Sequence, residues 1–153
     1  MREESRYMSD GFDYKVTIQS NVGIISAEKE KAVQRALYAI GVKAVEGATD
    51  AISGRYGVDP AVDTGRLRAS ISFVTASGEK GDGGYITPNS KQNDKVSGEA
   101  PENAVVVGSN VEYAEFVHNG TSKMPGRPFL REGIEQTKDD MQRQVEKIFK
   151  GEL

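Results

Sequence analysis

The chain has 153 residues, 20 Lys and Arg against 23 Asp and Glu, a net charge of −3 and no cysteine. That length suits one domain with a modest core. The lack of cysteine excludes disulfides, thiolate metal sites and cysteine nucleophiles, and a net negative chain is a poor general binder of polyanions. No apolar run approaches the ~20 residues of a membrane span, and MREESRYMSDGF has no hydrophobic signal core, so a soluble, non-exported protein with no membrane partner is expected.

Residues 1–11 are polar and read as an N-terminal tail, with Met8 as a second start site. Phe12, Tyr14, Val16 and Ile18 then alternate with polar residues, the period of a half-buried strand. From Ser26, an N-cap residue type, Val33, Leu37, Ile40, Ala44, Ala48 and Ile52 recur at spacings of three and four and predict a long amphipathic helix ending near Gly54. Gly41 and Gly47 each cost such a helix about 1 kcal/mol relative to alanine, which points to a close approach by something packed against them, a strand for preference.

GRYGVDPAVDTG is a punctuated connection, and Ala69 to Thr75 reads as a strand with Ile71 and Phe73 facing the core. Residues 77–103 have Tyr85, Ile86 and Val96 as their large apolar groups and are expected to form a mobile loop or extended hairpin arm, because so little burial does not offset the entropy of ordering. Ala104 to Ser109 is a short apolar strand, and VEYAEFV reads as extended chain leading into the Asn119-Gly120 turn. The last helix starts near Pro128, with Leu130, Ile134, Met141, Val145 and Ile148 on one stripe. Residues 12–150 thus form a single α+β domain: a small antiparallel sheet packed with a long helix in the N-terminal half and a C-terminal helix, carrying the 77–103 insertion.

Chemistry is sparse. His118, the lone histidine, reads as a polar turn residue rather than a metal ligand or general base. Glu112 and Glu115 would point to opposite faces of a strand and so form no acid/base pair. GEKGDGG lacks the strand and Lys-Ser/Thr context of a phosphate loop, and Asp59 and Asp63 lack the rest of a calcium loop. No Gly-x-Ser-x-Gly elbow occurs. No catalytic, cofactor or metal site is therefore expected, and the chain reads as a non-enzyme. The remaining signal is charge: Lys123, Arg127 and Arg131 stand against Glu115, and Arg66 and Arg68 join them if DTGRLR folds nearby. That cluster is either a solvated face or an interface for an acidic surface. Its rival use is nucleic-acid binding through Arg66, Lys123 and Arg127.

Two stretches go further. Asp63-Thr64-Gly65-Arg66-Leu67, then Tyr113-Ala114 with Gly120-Thr121, then Met124-Pro125-Gly126-Arg127-Pro128-Phe129-Leu130 resemble, in that order, the motifs of a family of small proteins of long-tailed bacteriophages. Its members are encoded among the head-to-tail joining and tail-completion genes, and the resemblance spans roughly residues 26 to 150. Gly126 and Glu132-Gly133 depart from the alanine and proline expected of the family. The resemblance implies a structural virion protein of the neck, assembled in the host bacterial cytoplasm as a homo-oligomeric ring. Its implied partners are the head connector or portal side and the tail terminator or tail tube, with DNA passing through the lumen without specific binding. It singles out Asp63, Thr64, Gly65, Tyr113, Gly120, Thr121, Met124, Pro125, Arg127, Pro128 and Phe129 as interface or loop-fixing residues.

In the loop from His118 to Leu130, Gly120 and Gly126 together with Pro125 and Pro128 suit a segment that holds one shape, which Met124 and Phe129 would pin. Asp63 is expected to accept the amides of Gly65 and Arg66 in an Asx turn. Arg127 is expected to pair with an acid, either Glu115 of its own chain or one on the next subunit.

Overall fold

The structure is a computed structural model and describes residues 2–8, 11–17, 27–63 and 65–151. In chain order it comprises strands β1 (Arg2–Met8) and β2 (Gly11–Thr17), helices α1 (Ala27–Ile52) and α2 (Arg66–Ser70), strands β3 (Ser72–Thr75), β4 (Lys80–Asp82) and β5 (Ala104–Ser109), and helices α3 (Ala114–Asn119) and α4 (Phe129–Phe149). The class is α+β. One antiparallel sheet runs in the order β1-β2-β5-β3-β4.

The register explains the sheet's two buried faces. Phe73 lies opposite Val107 and Thr75 opposite Val105, while Val74 lies opposite Val106. Because alternate residues point to opposite faces, Phe73, Val105, Val107 and Val16 turn to one side. There they join Ile40, Ala44 and Ile52 of α1 and Phe129, Leu130, Ile134 and Met141 of α4 in the main core. Val74, Ala104 and Val106 turn to the other side and meet Val96 and Ala100 from the insertion. A strand covered on both faces reads as an unbroken apolar run, as AVVVGS does.

The two helices run antiparallel: Ala32 and Ala36 early in α1 meet Ile148 late in α4, while Gly47 late in α1 meets Gly133 early in α4. Every residue of the expected stripe in α1 is buried, and in α4 all are except the half-buried Val145. Both interior glycines of α1 answer to close approach. A β-carbon on Gly41 would fall 2.4 Å from the Phe73 ring of β3, the strand contact foreseen. Gly47 instead faces the backbone of α4. Phe73 is held on its other edge by Gly81 of β4, where a β-carbon would stand 2.5 Å from the ring, and Tyr38 meets it edge-on at 5.2 Å.

Four expectations are corrected. Residues 2–8 are not a tail: β1 pairs with β2 from Arg2 opposite Thr17 to Met8 opposite Gly11. Its charged sequence carries no apolar alternation to mark a strand, and charges suit the edge of the sheet, where backbone pairing with β2 places it. Ala69 and Ser70 close α2, so the strand begins only at Ser72. Ala114 to Asn119 is helical rather than extended, ending at Gly120 with its amide on the Phe116 carbonyl.

The 77–103 insertion is fastened rather than free. It supplies β4 and buries Asp94, Val96 and Ala100, with the Val96 amide donating to Ser72 Oγ at 2.9 Å and that of Ala100 to the Thr75 carbonyl at 3.0 Å. Few apolar side chains suffice because polar contacts carry the rest. The proposed cap Ser26 and strand residue Ile18 lie outside the described residues.

Candidate interaction site

α2 opens at Gly65, whose φ of 82° is left-handed and so favours glycine. That turn aims Arg66 inward, where it is 8% exposed. Its guanidinium makes two forks: Nε and Nη2 donate to Asp94 Oδ2 and Oδ1 at 3.0 and 2.8 Å, and Nη1 and Nη2 donate to Glu112 Oε1 and Oε2 at 2.9 Å each. The group also lies over the Tyr113 ring at 5.6 Å.

Bidentate, charge-assisted bonds of this kind are the strong class. They tie α2, the insertion and the segment before α3 to one cation. The hydrogen bonds from Asp94 and Glu112 push the Arg66 pKa above its usual value. Burial alone would raise the Asp94 carboxyl, but the bonds from Arg66 and the Lys91 amide outweigh it and leave it low. Glu112 is brought down to about 2, chiefly by its bonds from Arg66. Burial raises Tyr113 against the pull of the nearby arginine.

The connection from α3 to α4 closes on itself. Thr121 and Met124 exchange backbone hydrogen bonds of 2.8 and 3.3 Å, Lys123 donates its amide to Thr121 Oγ1 at 3.2 Å, and Arg127 donates its amide to the Val117 carbonyl at 2.8 Å. Where the two ends touch, a β-carbon on Gly120 would stand 2.5 Å from the Gly126 nitrogen and one on Gly126 2.8 Å from the Asn119 carbonyl carbon. Gly120 also has φ 82° and ψ 173°, a region essentially reserved for glycine.

Phe129 is fully buried and so serves the chain's own core, while Met124 is half-buried and Thr121 and Pro125 are exposed. Pro128 stands half-buried as the N-cap of α4. His118 is not the polar turn residue expected. It is buried in α3, accepts the Arg131 amide on Nε2 at 3.2 Å, and meets Phe129 edge-on at 5.3 Å. Burial, opposed by the Asn119 hydrogen bond, takes it down to about 4.

These segments border a cleft of about 590 Å³. Pro60, Ala61, Val62, Leu67 and Val117 give it an apolar wall, and Asp63, Gly65, Arg66, Asn89, Lys91, Tyr113 and Arg127 complete it. Of the residues singled out from sequence, the cleft thus gathers Asp63, Gly65, Tyr113 and Arg127; the others form the folded loop beside it or its support. Asp63 is exposed, and among the described residues its carboxylate takes no hydrogen bond from Gly65 or Arg66, so the Asx turn is not formed. Thr64 lies outside the described residues.

The basic cluster does not survive as a set. Arg66 is consumed by its two acids, Arg68 stacks on Tyr85 at 4.2 Å, and Arg131 pairs with Glu132 at 3.6 Å. Arg127 is half-buried, with Nε shut off from solvent and without an acceptor, and it forms no ion pair with Glu115 or any other described acid. Asp94 is the residue sequence reasoning missed, while Glu112 and His118 are read there in other roles. Nothing in a polar insertion marks Asp94 as the acid that docks, because its burial is dictated by an arginine 28 positions away.

Among the described residues no cluster of His, Asp and Glu is placed to hold a metal, and no helix is long and apolar enough to cross a membrane. No protein-family model matches the chain, and no curated protein or solved structure is significantly similar to it.

Proposed function

We propose that the chain is a structural protein of the neck of a long-tailed bacteriophage, joining the head connector to the tail as a ring of identical subunits. The reading rests on the resemblance of the three motif segments to the tail-completion family. The observation that supports it is their convergence: Gly65-Arg66, Tyr113 and Arg127, far apart in sequence, border one cleft beside a loop with closed ends. A rigid loop and a saturated buried arginine organise a surface for docking, since they hold its shape before a partner arrives and reduce the entropy lost on association. In this reading DNA passes through the lumen unread, the partners are the portal side of the head and the terminator or tube of the tail, and the protein resides in the virion after assembly in the host cytoplasm.

Disruption of the gene in its phage tests the reading. The expected result is filled heads and complete tails that fail to join, rescued by the chain supplied in trans. Normal particle yield from the disrupted phage overturns it. Nucleic-acid binding, the rival use, has lost its central cation, because every guanidinium nitrogen of Arg66 is already bonded to Asp94 or Glu112. That rival would regain ground if the purified chain bound duplex DNA with a steep salt dependence.

A further inference from the structure

α3 separates two unpartnered surfaces of opposite character. On one side lies the cleft, with its apolar wall and Arg127. On the other, Glu115 and Phe116 are both exposed, Phe116 by 54%. Among the described residues the Glu115 side chain makes no hydrogen bond or ion pair, and neither does the Arg127 guanidinium. Lys91, also on the cleft, acts through space on Glu112, and Asp63 forms no ion pair with Arg127. Arg127 therefore holds a desolvated N–H in need of an acceptor, which is costly while it waits.

Successive residues of an α-helix are about 100° apart. Val117 faces the cleft, so Phe116 points roughly 100° away from it and Glu115 roughly 160° away. The acidic-aromatic ridge and the basic-apolar cleft thus occupy different sides of the same short helix.

We infer that the cleft receives the Glu115-Phe116 ridge of a second copy of this chain, with Phe116 against Val62, Leu67 and Val117 and the Glu115 carboxylate on Arg127. The contact is heterologous: a copy that fills its neighbour's cleft still presents its own cleft to the next, so the same step repeats and closes into a ring when the rotation divides the circle. Charge complementarity selects this occupant, since each half of the pair supplies what the other lacks. The inference deepens the assembly reading of the neck protein and rests on its self-association part alone.

Sedimentation of the purified full chain is the test. Concentration-dependent association is expected, weakened at least tenfold in apparent Kd by Phe116→Ser or by Glu115→Arg. Both residues are exposed, so these variants keep the fold. Combining Glu115→Arg with Arg127→Glu restores the charge pair and the association.

The chain lacks cysteine, which allows a direct check. Phe116→Cys and Val62→Cys chains mixed with a short bis-maleimide give a covalent dimer, and Phe116→Cys alone gives none. A parent that stays monomeric, single variants that associate like the parent, or dimers from Phe116→Cys alone would each overturn the contact. Association through another face removes this contact but leaves the neck reading standing. That reading fails separately, on the particle phenotype of the disrupted phage.

Discussion

Gly47 of α1 and Gly133 of α4 meet backbone to backbone: a β-carbon on Gly47 would lie 2.2 Å from the Gly133 carbonyl oxygen, and one on Gly133 2.4 Å from the Ala48 amide nitrogen. Those are backbone atoms of two packed helices, so neither side gives way cheaply. Alanine in place of Gly47 or Gly133 gains about 1 kcal/mol of helix propensity but overpacks the crossing, at a cost of about 1–3 kcal/mol or more. Because the clash is with backbone on both sides, the upper end of that cost applies, and each substitution is expected to lower the urea midpoint, corresponding to a net loss of up to about 2 kcal/mol. A raised midpoint in Gly47→Ala would show that the helices do not cross there.

The double fork on Arg66 joins one buried acid and one exposed acid: the Asp94 side chain is 8% exposed and that of Glu112 68%. Arg66→Ala strands the buried Asp94 charge and should cost about 3–5 kcal/mol. Asp94→Ala, which leaves the buried Arg66 Nε without its acceptor while Glu112 keeps its fork, should also be clearly destabilising. Glu112→Gln removes a partner that water can replace, so its denaturation midpoint should stay close to that of the parent. Chemical denaturation of the three variants gives the comparison. Equal losses for Asp94→Ala and Glu112→Gln would contradict the asymmetry of burial. Both carboxyls are lowered in the fold, so whatever each contributes is present above the usual carboxylate pKa and is lost as the pH falls below it, through about 2 for Glu112.

Within the insertion, order should be uneven. Asn110 donates its amide to the Asp94 carbonyl at 2.9 Å and its side chain to the Lys95 carbonyl at 3.0 Å, which clamps the stretch around Asp94 and Val96. Ile86, by contrast, is 96% exposed. Hydrogen exchange should find the amides of Val96 and Ala100 protected, and limited proteolysis should cut first between residues 83 and 90. Cleavage that begins at Asp94 to Ala100 would mean the clamp is not formed.

The contrast between elements found and missed in the sequence is physical. Long stripes such as Val33 to Ile52 were legible because burial on one face repeats with the helical period. The same holds for β5, where burial on both faces leaves an unbroken apolar run. β1 was not legible: a charged edge strand owes its place to backbone pairing, which leaves no mark on the order of its side chains. The α3 segment misled because VEYAEFV is too short for its apolar pattern to separate a strand from two helical turns. At the site, Gly120 and Phe129 are marked by the motif resemblance, and the freedom of a glycine and the bulk of a phenylalanine suit residues that fix a loop. The partners of Arg66 could not be read, since which acid among 23 reaches a given arginine is decided by the folded chain path.

His118 ties the start of α4 to pH. In the fold its Nε2 accepts the Arg131 amide, so the imidazole must be neutral there, and burial holds it down to about 4 against an ordinary value of 6.5. The unfolded chain therefore takes up the proton first as the pH falls. Stability from this group is complete above pH 6.5, declines between 6.5 and 4, and is gone below 4. A tenfold difference in proton affinity between the folded and unfolded chain is worth about 1.4 kcal/mol, which bounds the decline at about 3 kcal/mol. Arg131 adds to the effect, because a second cation would stand beside the protonated ring. His118→Gln can retain a carbonyl oxygen as acceptor for the Arg131 amide but does not titrate. Melting temperature against pH should therefore fall between pH 6.5 and 4 in the parent and run nearly flat over that interval in the variant. Parallel curves for the two proteins would show that His118 is protonated without cost and that the start of α4 does not depend on it.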